Sequence, residues 1–170
     1  SLYGRIIYNK APIMMRQLEN LLGKEKFREG IQEYIQTYAN GNADWSELVT
    51  ILDNKTNGDI KSWSDVWVNS PGRPVFTEEI ELNEKGDVTK FVIHQKAEDG
   101  SQKIWVQSFK IQLKDERGYE KTINLKNMGN SFDISSAVKD FKPGQVLYNT
   151  NGFGYGVFPI YKAKISSYKN

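Results

Sequence analysis

Along the first part of the chain, apolar residues recur with the period of a helix. Ile13, Met14, Leu18, Leu21 and Leu22 follow one another at spacings of three and four and share one helical face. Pro12 suits the first position of that helix, where its missing N–H costs nothing, and Gly23 is placed to end it. Phe27, Ile31, Tyr34, Ile35 and Tyr38 make a second amphipathic stripe. Gly30 lies inside that stripe at a cost of about 1 kcal/mol relative to Ala, which suggests that another helix approaches closely there. Asn40-Gly41-Asn42 breaks the chain. Asp44 and Glu47 then have the spacing of a capping box, ahead of the apolar stripe Trp45, Leu48, Val49 and Leu52. After Asn57-Gly58-Asp59, a short fourth helix over residues 62–68 carries Trp63, Val66 and Trp67.

Beyond Pro71-Gly72 and Pro74 the period changes to two. Phe76, Ile80 and Leu82 share one face of a strand, and Lys85-Gly86-Asp87 turns the chain toward Phe91 and Ile93. Asp99-Gly100 is expected to close a hairpin into a third strand, with Trp105, Phe109, Ile111 and Leu113 on its odd-numbered face. Arg117-Gly118 leads into Tyr119, Lys121, Ile123 and Leu125. Shorter strands are expected at 132–134, 146–148 and 155–161. The fold class is therefore α+β in two parts, an N-terminal α-helical segment followed by an antiparallel β-sandwich. The boundary falls within 70–75, giving domains of 1–72 and 73–170.

Charge and composition narrow the chemistry. The 23 Lys and Arg are interspersed with 21 Asp and Glu, so there is no basic stripe of the kind that binds nucleic acid. No apolar run approaches the roughly 20 residues of a membrane span. Cysteine is absent, which excludes disulfides, thiolate metal sites and a Cys nucleophile. A single histidine, His94, cannot supply a catalytic zinc site, which takes about three protein ligands. Nor does a G-x-S-x-G elbow accompany it. It reads as a strand residue in the alternating run Val92-Ile93-His94-Gln95. Glu79 and Glu81 fall on the opposite face from Phe76, Ile80 and Leu82, so they read as a solvated face and not as a glycosidase pair.

Tyr8-Asn9-Lys10-Ala11, opening a helix, resembles the Tyr-x-Lys-Gly motif of the gluzincin zinc aminopeptidases, the family of aminopeptidase N. The resemblance continues in order. Leu18, Leu22, Phe27, Gly30, Tyr34 and Tyr38 fall where that family has its helices, and Asn42, Trp45 and Leu48 are similar to its "N…LW…L" segment. Trp67, Gly72, Pro74 and Val75 look like the "W…G-x-P-V" at the end of its catalytic domain. Trp105 and Phe109 resemble a strand of its β-sandwich, and Asn151, Gly154, Tyr155 and Phe158 a later one. Ala11-Pro12, Ser108, Gly156 and Val157 depart from the family pattern and mark a divergent member.

The resemblance implies a metallopeptidase that removes N-terminal residues from peptides. Its zinc ligands and general-base Glu come from an H-E-x-x-H helix and a later helix, upstream of Ser1. This chain would then be a fragment. It would supply the oxyanion-stabilising tyrosine, Tyr8, and a structural sandwich, but no zinc site. Its partners would be the peptide substrate and the upstream catalytic core of the same longer chain. On residue pattern alone Tyr8 could instead be a packed aromatic, whereas Trp45, Trp63 and Trp67 lie on helical stripes and read as core. A different class stays open: a β-sandwich module that binds a glycan or protein, with helices attached. The fragment reading further expects an exposed apolar patch on the helical half.

Overall fold

The computed structural model describes residues 2–39, 41 and 44–163, with side chains from residue 10 onward. The chain divides into two compact units, Ser1–Gly72 and Arg73–Asn170.

Among the described residues the first unit holds four helices: α1 (Leu2–Leu22), α2 (Lys24–Tyr38), α3 (Trp45–Asp53) and α4 (Ile60–Asn69). Helix α1 starts well before Pro12, which lies in its interior and not at its first position. The ring removes one helical hydrogen bond, a loss of about 3 kcal/mol in an isolated helix. The helix continues because its next turns are anchored: Met14 and Leu18 are fully buried, and Gln17 nearly so. The expected capping box forms at α3. The Asp44 carboxylate accepts from the Glu47 backbone N–H at 3.1 Å, and Glu47 accepts from the Asp44 N–H at 2.9 Å. Asp53 accepts from the Ile60 N–H at 2.9 Å and so fixes the α3–α4 connection. Trp63 and Trp67 stack in the core at 5.3 Å between ring centroids. Gly30 is the contact that its position suggested. A Cβ there would lie 2.3 Å from the Leu52 Cδ2, so α2 and α3 approach over a bare backbone.

Six strands follow among the described residues: β1 (Pro74–Leu82), β2 (Val88–Ala97), β3 (Gln107–Asp115), β4 (Glu120–Met128), β5 (Ser131–Asp133) and β6 (Pro143–Tyr148). They form two antiparallel three-stranded sheets, ordered β1-β2-β5 and β4-β3-β6. Phe76, Phe91, Ile93, Phe109, Ile111, Leu113 and Leu125 fill one core. A bulge at Glu81/Leu82 shifts the β1–β2 register, so Val88 and Phe91, of opposite parity, both reach that core.

Two sequence expectations for the sandwich also change. Asp99-Gly100 does not close a hairpin, because β2 and β3 belong to different sheets. The residues between them cross the sandwich, and Trp105 lies in that crossing, ahead of β3, with no exposed surface. Gln95 replaces the missing ladder: its Oε1 accepts from the Trp105 N–H at 2.7 Å, and its Nε2 donates to the Trp105 carbonyl at 3.2 Å. The second change is at 155–161, which forms no strand. Only a parallel bridge joins Val157 to Val75. Phe158 reaches the core there and stacks on Phe76 at 4.8 Å. Gly156 permits this approach: it has φ 140°, and a Cβ would lie 2.6 Å from the Pro74 carbonyl oxygen.

Candidate active-site segment

Tyr8 lies in α1, four residues before Pro12, in a continuous helix and not at a helix start. Its side chain lies outside the described residues, as do Asn40 and Asn42. An α-helical N–H at position 12 would donate to the carbonyl at position 8, but proline has none. The helical bond that would close the turn begun by Tyr8 is therefore missing.

Lys10 belongs to the same turn. Its Nζ donates to the Trp67 carbonyl at 3.1 Å, in the last turn of α4. Burial pushes the Lys10 ammonium below its ordinary pKa. Of the tryptophans read as core, Trp63 and Trp67 are buried, and Trp45 is half-buried with its Nε1 donating to Ser64 Oγ at 2.7 Å. Helix α2 is different. Gly30 is its one buried residue, Phe27, Ile31, Tyr34 and Tyr38 are half-buried, and Ile35 is 58% exposed.

In the sandwich, His94 is a residue of β2 whose Nε2 lies 2.8 Å from Glu79 Oε2, while Lys90 Nζ is 2.7 Å from the other oxygen of Glu79. The Lys90 hydrogen bond, then that of His94, holds the Glu79 carboxyl below its ordinary range. This trio lies on the outer face, as the alternation predicted for Glu79.

Glu78 was missed. It shares parity with Phe76 and Ile80, and the Tyr148 hydroxyl of β6 donates to it across the sandwich. Burial raises the Glu78 carboxyl, and the Tyr148 bond partly opposes the shift. Parity alone could have found it. The most fully engaged carboxylate is Asp115, 2% exposed at the end of β3. It accepts from Arg117 N at 2.7 Å, Arg117 Nε at 2.8 Å, Arg117 Nη2 at 2.9 Å and Lys142 N at 2.7 Å. These bonds, led by that of the Arg117 side chain, hold its carboxyl well below the ordinary range.

Residues 1–67 match the Peptidase family M1 domain. Aminopeptidase N of Streptomyces lividans is 36% identical over 95 residues, which is 56% of this chain and 11% of that protein. The helical part of the chain, residues 1–67, is thus similar to the M1 peptidase domain. A more distant M1 relative, the alanine/arginine aminopeptidase of Saccharomyces cerevisiae, is 22% identical over 161 residues, covering 92% of this chain and 17% of the yeast protein. The fold is similar to that of Legionella pneumophila aminopeptidase A, solved in complex with aspartic acid. The TM-score is 0.60 at 15% identity, over 91% of this chain and 18% of that one. The chain spans a small part of the length of the M1 relatives it matches.

M1 aminopeptidases are generally zinc-dependent. The described residues do not fit that ion, since no group of three or more His, Cys, Asp or Glu among them could hold a metal. His94 and Glu79 are two donors on an outer sheet face, and Lys90 already occupies the carboxylate. Among the described residues, no helix is long and apolar enough to cross a membrane.

Proposed function

We propose that the chain works as part of a longer M1 aminopeptidase, with 1–72 as the C-terminal helical part of the catalytic domain and 73–170 as the β-sandwich domain after it. Tyr8 is the catalytic residue of this segment. In hydrolysis of the first peptide bond, water adds to the scissile carbonyl and the carbonyl oxygen becomes an oxyanion. A neutral phenol can donate one hydrogen bond to that developing charge and can contribute roughly 3 kcal/mol. The observation that carries the reading is that Tyr8, in its Tyr-x-Lys setting, lies inside the stretch matched by the M1 domain. The zinc of such an enzyme would be held by residues other than the described ones.

The substrate class follows from the family: peptides with a free N-terminus. The helical unit backs the cleft, and the sandwich is a spacer. Tyr8→Phe in the full enzyme tests the assignment, because it removes the hydroxyl and keeps the ring. The loss should fall on the transition state, with kcat reduced about 100-fold to 1,000-fold and KM little altered. A well-folded Tyr8→Phe enzyme with full activity would end the catalytic role of Tyr8.

A further inference from the structure

We propose that Lys10 is a positioning residue: its ammonium clamps the C-terminal turn of α4 and thereby fixes the rotation and axial register of α1 at the turn that carries Tyr8. The inference rests on the catalytic reading of Tyr8 only for its effect on turnover. The clamp itself stands on geometry.

Three observations meet at this point. First, the last carbonyls of a helix have no partners within it and carry partial negative charge, so they attract a cation. Helix α4 has no basic residue of its own in its last turn. The Ser70 N–H satisfies the Val66 carbonyl at 3.1 Å, and Lys10 reaches the next one, Trp67, from far away in sequence. Second, Lys10 is half-buried and partly desolvated. A lysine normally keeps its head in water. Its contact with a helix C-terminus offsets part of that cost. Third, the proline at position 12 deletes the backbone bond that would otherwise stiffen the turn from Tyr8 to Pro12. A helix weakened there tends to bend or swivel at that turn. Lys10 lies inside the weakened turn and ties it to α4, while Met14 and Leu18 pack the turns that follow.

A hydrogen-bond donor for an oxyanion must be held in place before the reaction, and small misplacements are costly. The clamp supplies that placement from outside α1.

The test uses Lys10→Met, which keeps the stem and removes the charge, and Lys10→Arg, which keeps a cation. Asp44→Ala serves as a control: it loosens the helical unit at the α3 cap and does not touch the clamp. Hydrogen exchange by mass spectrometry on the full chain should show amides over 8–14 exchanging about 5-fold to 10-fold faster in Lys10→Met. Lys10→Arg should return them to within about 2-fold of wild type, and Asp44→Ala should leave them unchanged. In the full enzyme, Lys10→Met should lower kcat about 10-fold to 100-fold at nearly constant KM, and Lys10→Arg should recover most of it. Wild-type exchange over 8–14 in Lys10→Met overturns the clamp, and so does equal loosening by Asp44→Ala. If the exchange results hold but Tyr8→Phe is fully active, the catalytic reading fails on its own and Lys10 remains a structural clamp.

Discussion

Asp115→Asn is the perturbation whose cost can be worked most directly from the structure. The carboxylate receives four donors: the Arg117 N–H and Nε on Oδ1, and Arg117 Nη2 and the Lys142 N–H on Oδ2. An asparagine keeps one acceptor oxygen and presents an NH2 where the other oxygen was. Whichever way the amide turns, two donors then face a donor. In either orientation one of the two is a main-chain N–H and the other an Arg117 side-chain N–H, at a residue 2% exposed. Each buried group left unsatisfied costs about 1–3 kcal/mol. The charge term is smaller, because the Arg117 side chain is 52% exposed and solvent screens it. The total should be about 2–4 kcal/mol. The knot joins the β3–β4 turn to the residue before β6, so the loss should be global to the sandwich.

Urea unfolding, read by hydrogen exchange of peptides from β3 and β6, isolates that unit from the helices. The pH dependence has a definite sign. Asp115 is depressed in the folded state, so its contribution is full above the unfolded carboxyl pKa of about 3.9 and is lost as pH falls through the folded value. The gap between wild type and Asp115→Asn should therefore be constant from pH 7 to about 5 and shrink below about 4. A variant within about 0.5 kcal/mol of wild type at pH 7 would refute the accounting.

Glu78→Gln should act in the opposite direction. Glu78 is raised, so its contribution is full below the unfolded pKa of about 4.3 and fades as pH rises through the folded value. The variant should be at least as stable as wild type at pH 7 and show a flatter pH profile, and a clear loss at pH 7 would count against this. Gly30→Ala gains helix propensity of up to about 1 kcal/mol but drives a methyl against Leu52, at an overpacking cost of about 1–3 kcal/mol. The helical unit should melt earlier, with Leu52→Ala relieving part of the added cost in a double-mutant cycle, and strict additivity would contradict the contact. Gly156→Ala should destabilise the sandwich, measured by urea midpoint, because its φ of 140° and the Pro74 carbonyl both exclude a Cβ.

The features legible in the sequence were those set by local chemistry. The Asp44–Glu47 cap, the break at Gly23, the turns at Gly86 and Gly118 and the core parity of β1 and β3 each depend on residues a few positions apart. The features that escaped depend on distant partners. Pro12 looks like a helix start until Met14, Leu18 and Lys10 are seen holding the helix on both sides of it. Asp99-Gly100 has hairpin chemistry, but the next strand finds its partners in the other sheet and Gln95 absorbs the unpaired backbone. Residues 155–161 alternate like a strand, yet Gly156 and Phe158 are spent on a close approach to β1. Glu78 was hidden by its acidic neighbours. At the candidate site, the Tyr8 motif was visible from residue order, whereas the Lys10 bond to Trp67 carries no signal in spacing.

The bridge between Val75 and Val157 bears on the order in which the molecule assembles. The Phe76 N–H donates to the Val157 carbonyl, and Phe158 stacks on the Phe76 ring, so the first strand of the sandwich is completed by some of its last described residues. Helices close over short separations, but this seam must wait for nearly the whole unit. As the chain leaves a ribosome, the four helices can form while β1 still has one margin bare. During that interval Val75 and Phe76 are open to the wrong neighbour, and the acidic run Glu78-Glu79-Ile80-Glu81 beside them supplies the repulsion that keeps two such nascent strands apart.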